Sequence, residues 1–165
     1  MSFQCPHCSI VAKSEAGLQK HIGSAHTEKA EDEILIDGRK RVKTIQDEFT
    51  KLYPYLGLHF FTEEEIQKSK EGGSITPLAG DLSLSSVRTV KGSTSSDFKV
   101  TSRMHVATME TEFRKDFGLQ IQVCLQKEGK SFYSSGAMDK MSLKDLNAWC
   151  ESNGHSQWSY ATWRK

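Results

Sequence analysis

Two cysteines and two histidines near the start of the chain have the residue types and the spacing of a metal site. They are Cys5, Cys8, His21 and His26, with two, twelve and four residues between successive members. Thiolate sulfur and imidazole nitrogen are soft ligands, so this set favours Zn²⁺ over harder cations. Four protein ligands close a tetrahedron and leave no open position for a reactive water. The sequence therefore predicts one structural zinc ion.

The residues around these ligands resemble those of Cys₂His₂ zinc fingers. Phe3 precedes the first cysteine by two residues and Leu18 precedes the first histidine by three, which are core positions of that family. The resemblance covers residues 3–26 and implies a ββα finger that holds Zn²⁺. One departure is Ala12, which stands where the family usually has an aromatic residue, so either Ile10 or Val11 fills the gap or the finger is looser than average.

In fingers of this family that read DNA, three helix positions contact bases, and here they fall on Ser14, Gly17 and Lys20. Since Gly17 has no side chain and one finger buries little surface, we do not expect sequence-specific DNA binding. Contact with a phosphate backbone is the nucleic-acid alternative. The basic residues for it are Lys13, Lys20, Arg39, Lys40, Arg41 and Lys43. The competing interpretation is a solvated cluster, partly neutralised by the acidic residues at 28–37.

The composition sets limits on the kind of protein. The chain has 165 residues and a formal net charge of +1, so no global field points to nucleic acid or to a membrane. No stretch approaches the ~20 apolar residues that span a bilayer, and the N-terminus lacks the layout of a secretory signal. We therefore expect an intracellular protein, cytoplasmic or nuclear, with no membrane partner. In a reducing compartment, Cys124 and Cys150 are interpreted as free, buried thiols rather than a disulfide.

Hydrophobic periodicity predicts three helices, at about 40–53, 105–117 and 143–152. Short strands are expected at Ile34-Leu35-Ile36, over Leu56 to Phe60 and at Phe98 to Val100. A clear alternating strand runs from Leu119 to Leu125, and a turn at Glu128-Gly129 leads to Phe132-Tyr133 as its hairpin partner. We expect the strands at 56–60 and 119–125 to be half-buried, with His59 on a polar face.

The second helix–strand unit resembles the first. With an offset of 64 residues, Glu48 aligns with Glu112, Phe49 with Phe113 and Lys51 with Lys115, among other matches. After a one-residue deletion the strands 56–60 and 119–123 also align. This pattern suggests a duplicated unit, although apolar matches alone are common between amphipathic helices.

The fold class predicted is α+β: a Cys₂His₂ ββα finger followed by a two-layer α/β sandwich with a mainly antiparallel sheet. The predicted boundaries are 1–27 for the finger, 28–39 for a charged linker, 40–155 for the α+β domain and 156–165 for an aromatic and basic tail. Residues 72–97 are expected to form a flexible loop rich in Gly and Ser.

The sequence contains no nucleophile elbow, Gly-rich phosphate loop or paired-carboxylate motif, so we expect a binding protein and not an enzyme. One hypothesis is a nucleic-acid-associated accessory or regulatory factor that grips phosphate. The alternative is an adaptor that docks on another protein, and a homodimer is compatible with either. The tail residues Trp158, Tyr160 and Trp163 would either stack on single-stranded bases or pack on their own domain, of which packing is the commoner arrangement.

Overall fold

The computed structural model of the chain describes residues 3–4, 11–12, 14, 16, 33–90 and 98–162. The chain divides into two compact units, Met1–Asp32 and Glu33–Lys165. In the first unit, strand β1 (Phe3–Gln4) pairs antiparallel with strand β2 (Val11–Ala12). Among the residues that the structure describes, no helix is long and apolar enough to cross a membrane.

The larger unit mixes helices and strands, and every strand pair described in it is antiparallel, which agrees with the predicted α+β class. Its elements in chain order are β3 (Glu33–Ile36), α1 (Val42–Leu52), β4 (Gly57–Phe61), α2 (Glu63–Lys70), α3 (Leu84–Val87), β5 (Phe98–Thr101), α4 (Val106–Phe117), β6 (Gln120–Lys127), β7 (Lys130–Tyr133) and α5 (Leu143–Ser152). Short 3₁₀ turns lie at Met138–Lys140 and Tyr160–Thr162. The helices at 40–53, 105–117 and 143–152 are confirmed within two residues at each end.

The first strand–helix–strand run follows directly from its sequence pattern. In β3, Ile34 and Ile36 are buried while the alternate residues are exposed. The carboxylate of Asp37 then accepts hydrogen bonds from the backbone amides of Arg39 (2.8 Å) and Lys40 (3.0 Å), which forms the predicted turn. The buried residues of α1 are Val42, Ile45 and Phe49, spaced along one face of the helix.

Glycines mark the ends of two elements, α4 and β6, in the second strand–helix–strand run (β5, α4 and β6). Helix α4 stops at Gly118, which adopts a left-handed conformation (φ +64°) and whose amide donates to the carbonyl of Arg114 at 2.8 Å. Strands β6 and β7 are joined by Glu128 and Gly129, both with positive φ (51° and 73°). That combination is typical of a tight hairpin turn, so the predicted hairpin is confirmed.

The two halves of the larger unit, residues 33–90 and 98–155, are paired strand to strand. β3 pairs with β5 so that Leu35 lies opposite Lys99, and β4 pairs with β6 so that His59 lies opposite Gln122. Both pairs join residues that the sequence repeat aligns, with an offset of 64 in the first case and 63 after the deletion. Because the strands run antiparallel, the other pairs of each ladder lie symmetrically on either side of this central pair, and each is exchanged with another when every residue is replaced by its repeat equivalent. The register of both ladders is therefore two-fold symmetric.

Helix starts are also equivalent in the two halves. The amide of Val42 at the start of α1 donates to the carbonyl of Leu82 (2.9 Å), and the amide of Val106 at the start of α4 donates to the carbonyl of Met141 (3.1 Å). Each acceptor immediately precedes the N-cap serine of the following helix. Backbone carbonyls from a returning segment thus satisfy amides that a side-chain cap would otherwise satisfy.

The expectation of half-buried strands is wrong for β4 and β6. All five residues of β4 are buried, including His59 and Phe61 on the face away from α1, and Cys124 and Gln126 are buried on the corresponding face of β6. The reason is that Tyr133, together with residues 156–162, covers this face. The alternation of residues within a strand does not reveal that residues about a hundred positions later in the chain bury its outer face.

Candidate binding surfaces

The four zinc ligands predicted from the sequence, Cys5, Cys8, His21 and His26, lie outside the described residues, as do Lys13 and Lys20. Within the part of the chain that the structure describes, no three His, Cys, Asp or Glu side chains form a group that holds a metal ion. The zinc site therefore stays a prediction from ligand type and spacing.

The basic cluster at the start of α1 is mostly paired with carboxylates. Lys40 Nζ lies 2.7 Å from Glu48 Oε2, and Lys43 Nζ lies 2.9 Å from Asp47 Oδ2. Arg39 Nη2 is 3.7 Å from Asp37 Oδ2, but its side chain is 91% exposed, so this pair is weak. Arg41 is also exposed, and its guanidinium contacts no carboxylate among the described residues.

A shallow groove of about 360 Å³ lies between β3 and α1. Its lining combines apolar side chains with charges of both signs. The lining residues are Glu33, Ile34, Leu35, Lys40, Glu48, Lys51 and Leu52. Leu35 is 41% exposed, one of two large hydrophobic residues with that degree of exposure among those described; the other is Val90.

His59 is enclosed by aromatic rings on the outer face of β4. Its ring centroid lies between 5.8 and 6.3 Å from those of four aromatic side chains, which are Phe61, Tyr133, Trp158 and Tyr160. Burial lowers the pKa of His59 to about 4, so the imidazole is neutral at pH 7. A neutral, enclosed ring of this kind contributes to packing.

The segment 156–162 is held on the sheet by specific hydrogen bonds. The Trp158 amide donates to the Pro54 carbonyl (2.8 Å), and the Leu58 amide donates to the Tyr160 hydroxyl (3.0 Å). The side-chain amide of Gln126 both donates to the Ser159 carbonyl (3.1 Å) and accepts from the Ser159 amide (3.2 Å). Trp158 and Tyr160 therefore pack on their own domain, which was one of the two alternatives for the tail. Trp163 lies outside the described residues.

Cys124 and Cys150 are buried free thiols, as expected. Burial raises the pKa of Cys124 well above its usual value and that of Cys150 to about 12, so both stay protonated at pH 7. A protonated thiol is a poor nucleophile. Cys124 lies near the neutral His59, but the pair lacks the thiolate and imidazolium of a catalytic dyad.

Glu110 is a half-buried carboxyl group that sequence analysis missed. Its Oε1 accepts a 3.4 Å hydrogen bond from the Val123 amide, and burial, with a smaller contribution from Asp139, raises the pKa of Glu110 to about 7. The repeat offset aligns Glu110 with Gln46, whose Nε2 donates to the Leu58 carbonyl at 2.9 Å. The two halves thus place a carboxyl group and an amide at equivalent positions beside a strand.

Two further features were missed although the sequence carries their signals. Thr62 caps helix α2 by accepting from the Glu65 amide (3.2 Å), and the run from Thr62 to Glu65 has the spacing of a capping box. The Ser-Leu pairs at 83–84 and 142–143 begin equivalent helices, with Leu84 and Leu143 both fully buried. Extending the repeat beyond the strands would have found them.

Comparison with known proteins gives no match: no family model, no curated protein and no solved structure is similar to this chain.

Proposed function

We propose that this chain is a non-catalytic zinc-finger protein that acts as an adaptor by binding another protein. The finger at residues 1–27 rests on the Cys and His spacing, and the antiparallel β1–β2 pair is compatible with the start of a ββα finger. The single observation that favours a protein partner is the groove between β3 and α1, which exposes apolar surface beside charges of both signs. Such mixed lining suits a protein better than a polyanion.

The charge pairs weaken the nucleic-acid alternative. Of the four basic side chains at positions 39–43, Lys40 and Lys43 lie 2.7 and 2.9 Å from a carboxylate, so the cluster presents less free positive charge than its sequence suggests. A phosphate grip needs several cations that can each displace counterions. Arg39 and Arg41, both exposed, nevertheless keep a nucleic-acid-associated accessory role as the second candidate, together with Lys13 and Lys20.

We also infer that the two halves of the larger unit derive from a duplicated strand–helix–strand element that packs as a two-layer sandwich. The two-fold symmetric register of the β3–β5 and β4–β6 pairs supports this. The free thiols of Cys124 and Cys150 are compatible with a reducing, intracellular location. A non-catalytic role is supported by the protonated thiols and the neutral His59.

The experiment is a pull-down from native lysate with the full-length chain as bait, with and without nuclease, over a range of salt. An adaptor should retain a defined protein partner at high salt and after nuclease, and Cys8→Ser should lose any partner that the finger binds. The nucleic-acid role predicts instead nuclease-sensitive retention that falls steeply with salt and is lost in Lys20→Glu and Arg41→Glu. Lys115→Glu, on the second half, is the matched control. The adaptor proposal would be overturned if the only retention observed were sensitive to nuclease and fell steeply with salt.

A further inference from the structure

The β3 strand has a free edge beside the groove. Among the described residues it pairs with β5 and with no other strand, so within that part of the chain its second edge has no strand partner. The groove that follows β3 is lined on one side by residues 33–35 and on the other by Glu48, Lys51 and Leu52 of α1. An exposed strand edge next to an apolar groove is the geometry by which extended peptides add to a sheet.

The second half of the molecule shows that the fold does not require this apolar surface. At the positions equivalent to Leu35 and Leu52, it has Lys99 and Asp116. The two helices share matched positions such as Glu48 and Glu112, although other positions differ, such as Lys40 and Met104. Charged residues satisfy the fold at the equivalent sites, so the fold alone does not require the exposed Leu35 (41%), and Leu52 beside it packs partly against the core. Together they leave apolar surface in the groove that a partner can cover.

The charges beside the groove indicate the chemistry of that partner. Glu33 is paired with Lys99 at 2.9 Å, and Lys40 with Glu48 at 2.7 Å. Lys51 is exposed and meets no carboxylate among the described residues. Within the part of the chain that the structure describes, Lys51 is thus a lining cation without a carboxylate partner, and an acidic group on the partner complements it.

We propose that the groove binds an extended segment of a partner protein as an added strand on the free edge of β3; this proposal rests on the adaptor function proposed above. An apolar side chain of that segment contacts Leu35 and Leu52, and a neighbouring carboxylate pairs with Lys51. The backbone of the segment pairs with residues 33–36. This assignment names the docking site and the kind of sequence that the adaptor recognises.

The test uses the full-length protein as bait for a library of random peptides displayed on phage, followed by binding of the enriched synthetic peptides. Enriched peptides should combine an apolar and an acidic residue. Leu35→Lys and Leu52→Asp import the residues of the second half and should each weaken peptide binding about tenfold or more. Leu35→Lys lies at the more exposed site and should leave the fold intact, whereas Leu52 packs partly on the core, so the fold of Leu52→Asp is checked by circular dichroism. Lys51→Ala should weaken it about threefold, whereas the matched Lys115→Ala should leave it unchanged. Amide chemical shifts of residues 33–36 should move on peptide addition.

Three results would overturn the inference. One is a selection without enriched peptides, and another is enriched peptides that bind Leu35→Lys as tightly as the native chain. The third is a dimer by sedimentation that Leu35→Lys dissociates, since the groove would then bind a second copy. These outcomes differ from failure of the adaptor function itself. If the lysate partner is retained at high salt by Leu35→Lys and Leu52→Asp, the adaptor stands and the groove assignment fails; if no partner survives salt and nuclease, the adaptor fails.

Discussion

Gly57 lies under the indole ring of Trp158, so close that a Cβ at residue 57 would overlap the ring. This contact places the segment 156–162 over the outer face of β4, where it buries His59. A glycine at the start of a strand usually lowers strand stability. Here glycine is required because the Trp158 ring fills the space that a Cβ at residue 57 would occupy.

Gly57→Ala should therefore displace Trp158 and destabilise the larger unit by about 1–3 kcal/mol, the usual range for overpacking. Denaturant unfolding measures the loss. Reaction of Cys124 with a thiol reagent should become faster, because the thiol is buried on the same face of the sheet. Gly38→Ala is the control, since a Cβ there meets only ordinary contacts at 3.5 Å or more. Equal unfolding curves for the two variants would contradict the prediction.

Glu110 should make the larger unit less stable as pH rises. Its pKa is about 7 in the folded protein and near 4.5 when unfolded, so the folded state holds the proton more tightly between these values. The contribution of Glu110 therefore lowers the free energy of unfolding progressively as pH rises from about 4.5 to 7, and above pH 7 this loss of stability is constant. Glu110→Gln removes this cost and should stabilise the protein at pH 8 by on the order of 2 kcal/mol.

The comparison must be made between variants at each pH, because His59 acts in the opposite sense. With a folded pKa of about 4 against 6.5, unfolded His59 takes up protons first as pH falls, so it destabilises the protein in acid. Its contribution is present in both proteins and cancels in the difference. The advantage of Glu110→Gln should grow from pH 4.5 to 7 in chemical denaturation. The exposed Glu112→Gln on the same helix is the control, and a pH-independent difference for Glu110→Gln would refute the assignment.

Leu84→Ala and Leu143→Ala should have similar effects, since both side chains are fully buried at equivalent helix starts. Each substitution leaves a cavity and should cost about 2–5 kcal/mol. Urea unfolding at equilibrium measures both. If one substitution is nearly neutral while the other unfolds the chain, the structural equivalence of the two halves does not extend to these helices.

Chelation should separate the two units. Because Glu33–Lys165 has its own buried core, removal of Zn²⁺ is expected to unfold residues 1–27 and leave the larger unit folded. Amide NMR spectra recorded with and without a chelator would show which signals collapse. The opposite finding is loss of dispersion across residues 33–162 in the same step.

Local patterns were enough to predict most elements of the larger unit. Helix α4 follows from Val106, Met109, Phe113 and Phe117 on one face and from Gly118 at its end. The repeat offset, read from side-chain matches, also agrees with the register that pairs His59 with Gln122. These features depend on residues close in sequence or on a comparison of the chain with itself.

What the sequence left hidden depends on contacts between distant residues. The burial of His59 requires Trp158 and Tyr160 to fold back over about a hundred residues, and no periodicity encodes that. Helix α2 buries none of its residues, so it has no hydrophobic signal; Thr62 caps it, and Arg114 of α4 binds Glu63 through two bonds of 2.6 and 2.9 Å. The groove likewise becomes visible only when β3 and α1 are placed side by side.

Measurement of bound zinc in the purified chain tests the zinc-finger assignment most directly. Elemental analysis of protein isolated without added metal should find one Zn²⁺ per chain, and Cys8→Ser should bind much less, while Cys150→Ser, which alters a buried thiol of the larger unit, should retain it. A native chain without stoichiometric zinc, or a Cys8→Ser variant that keeps the full amount, would contradict the zinc-finger assignment on which the adaptor proposal is built.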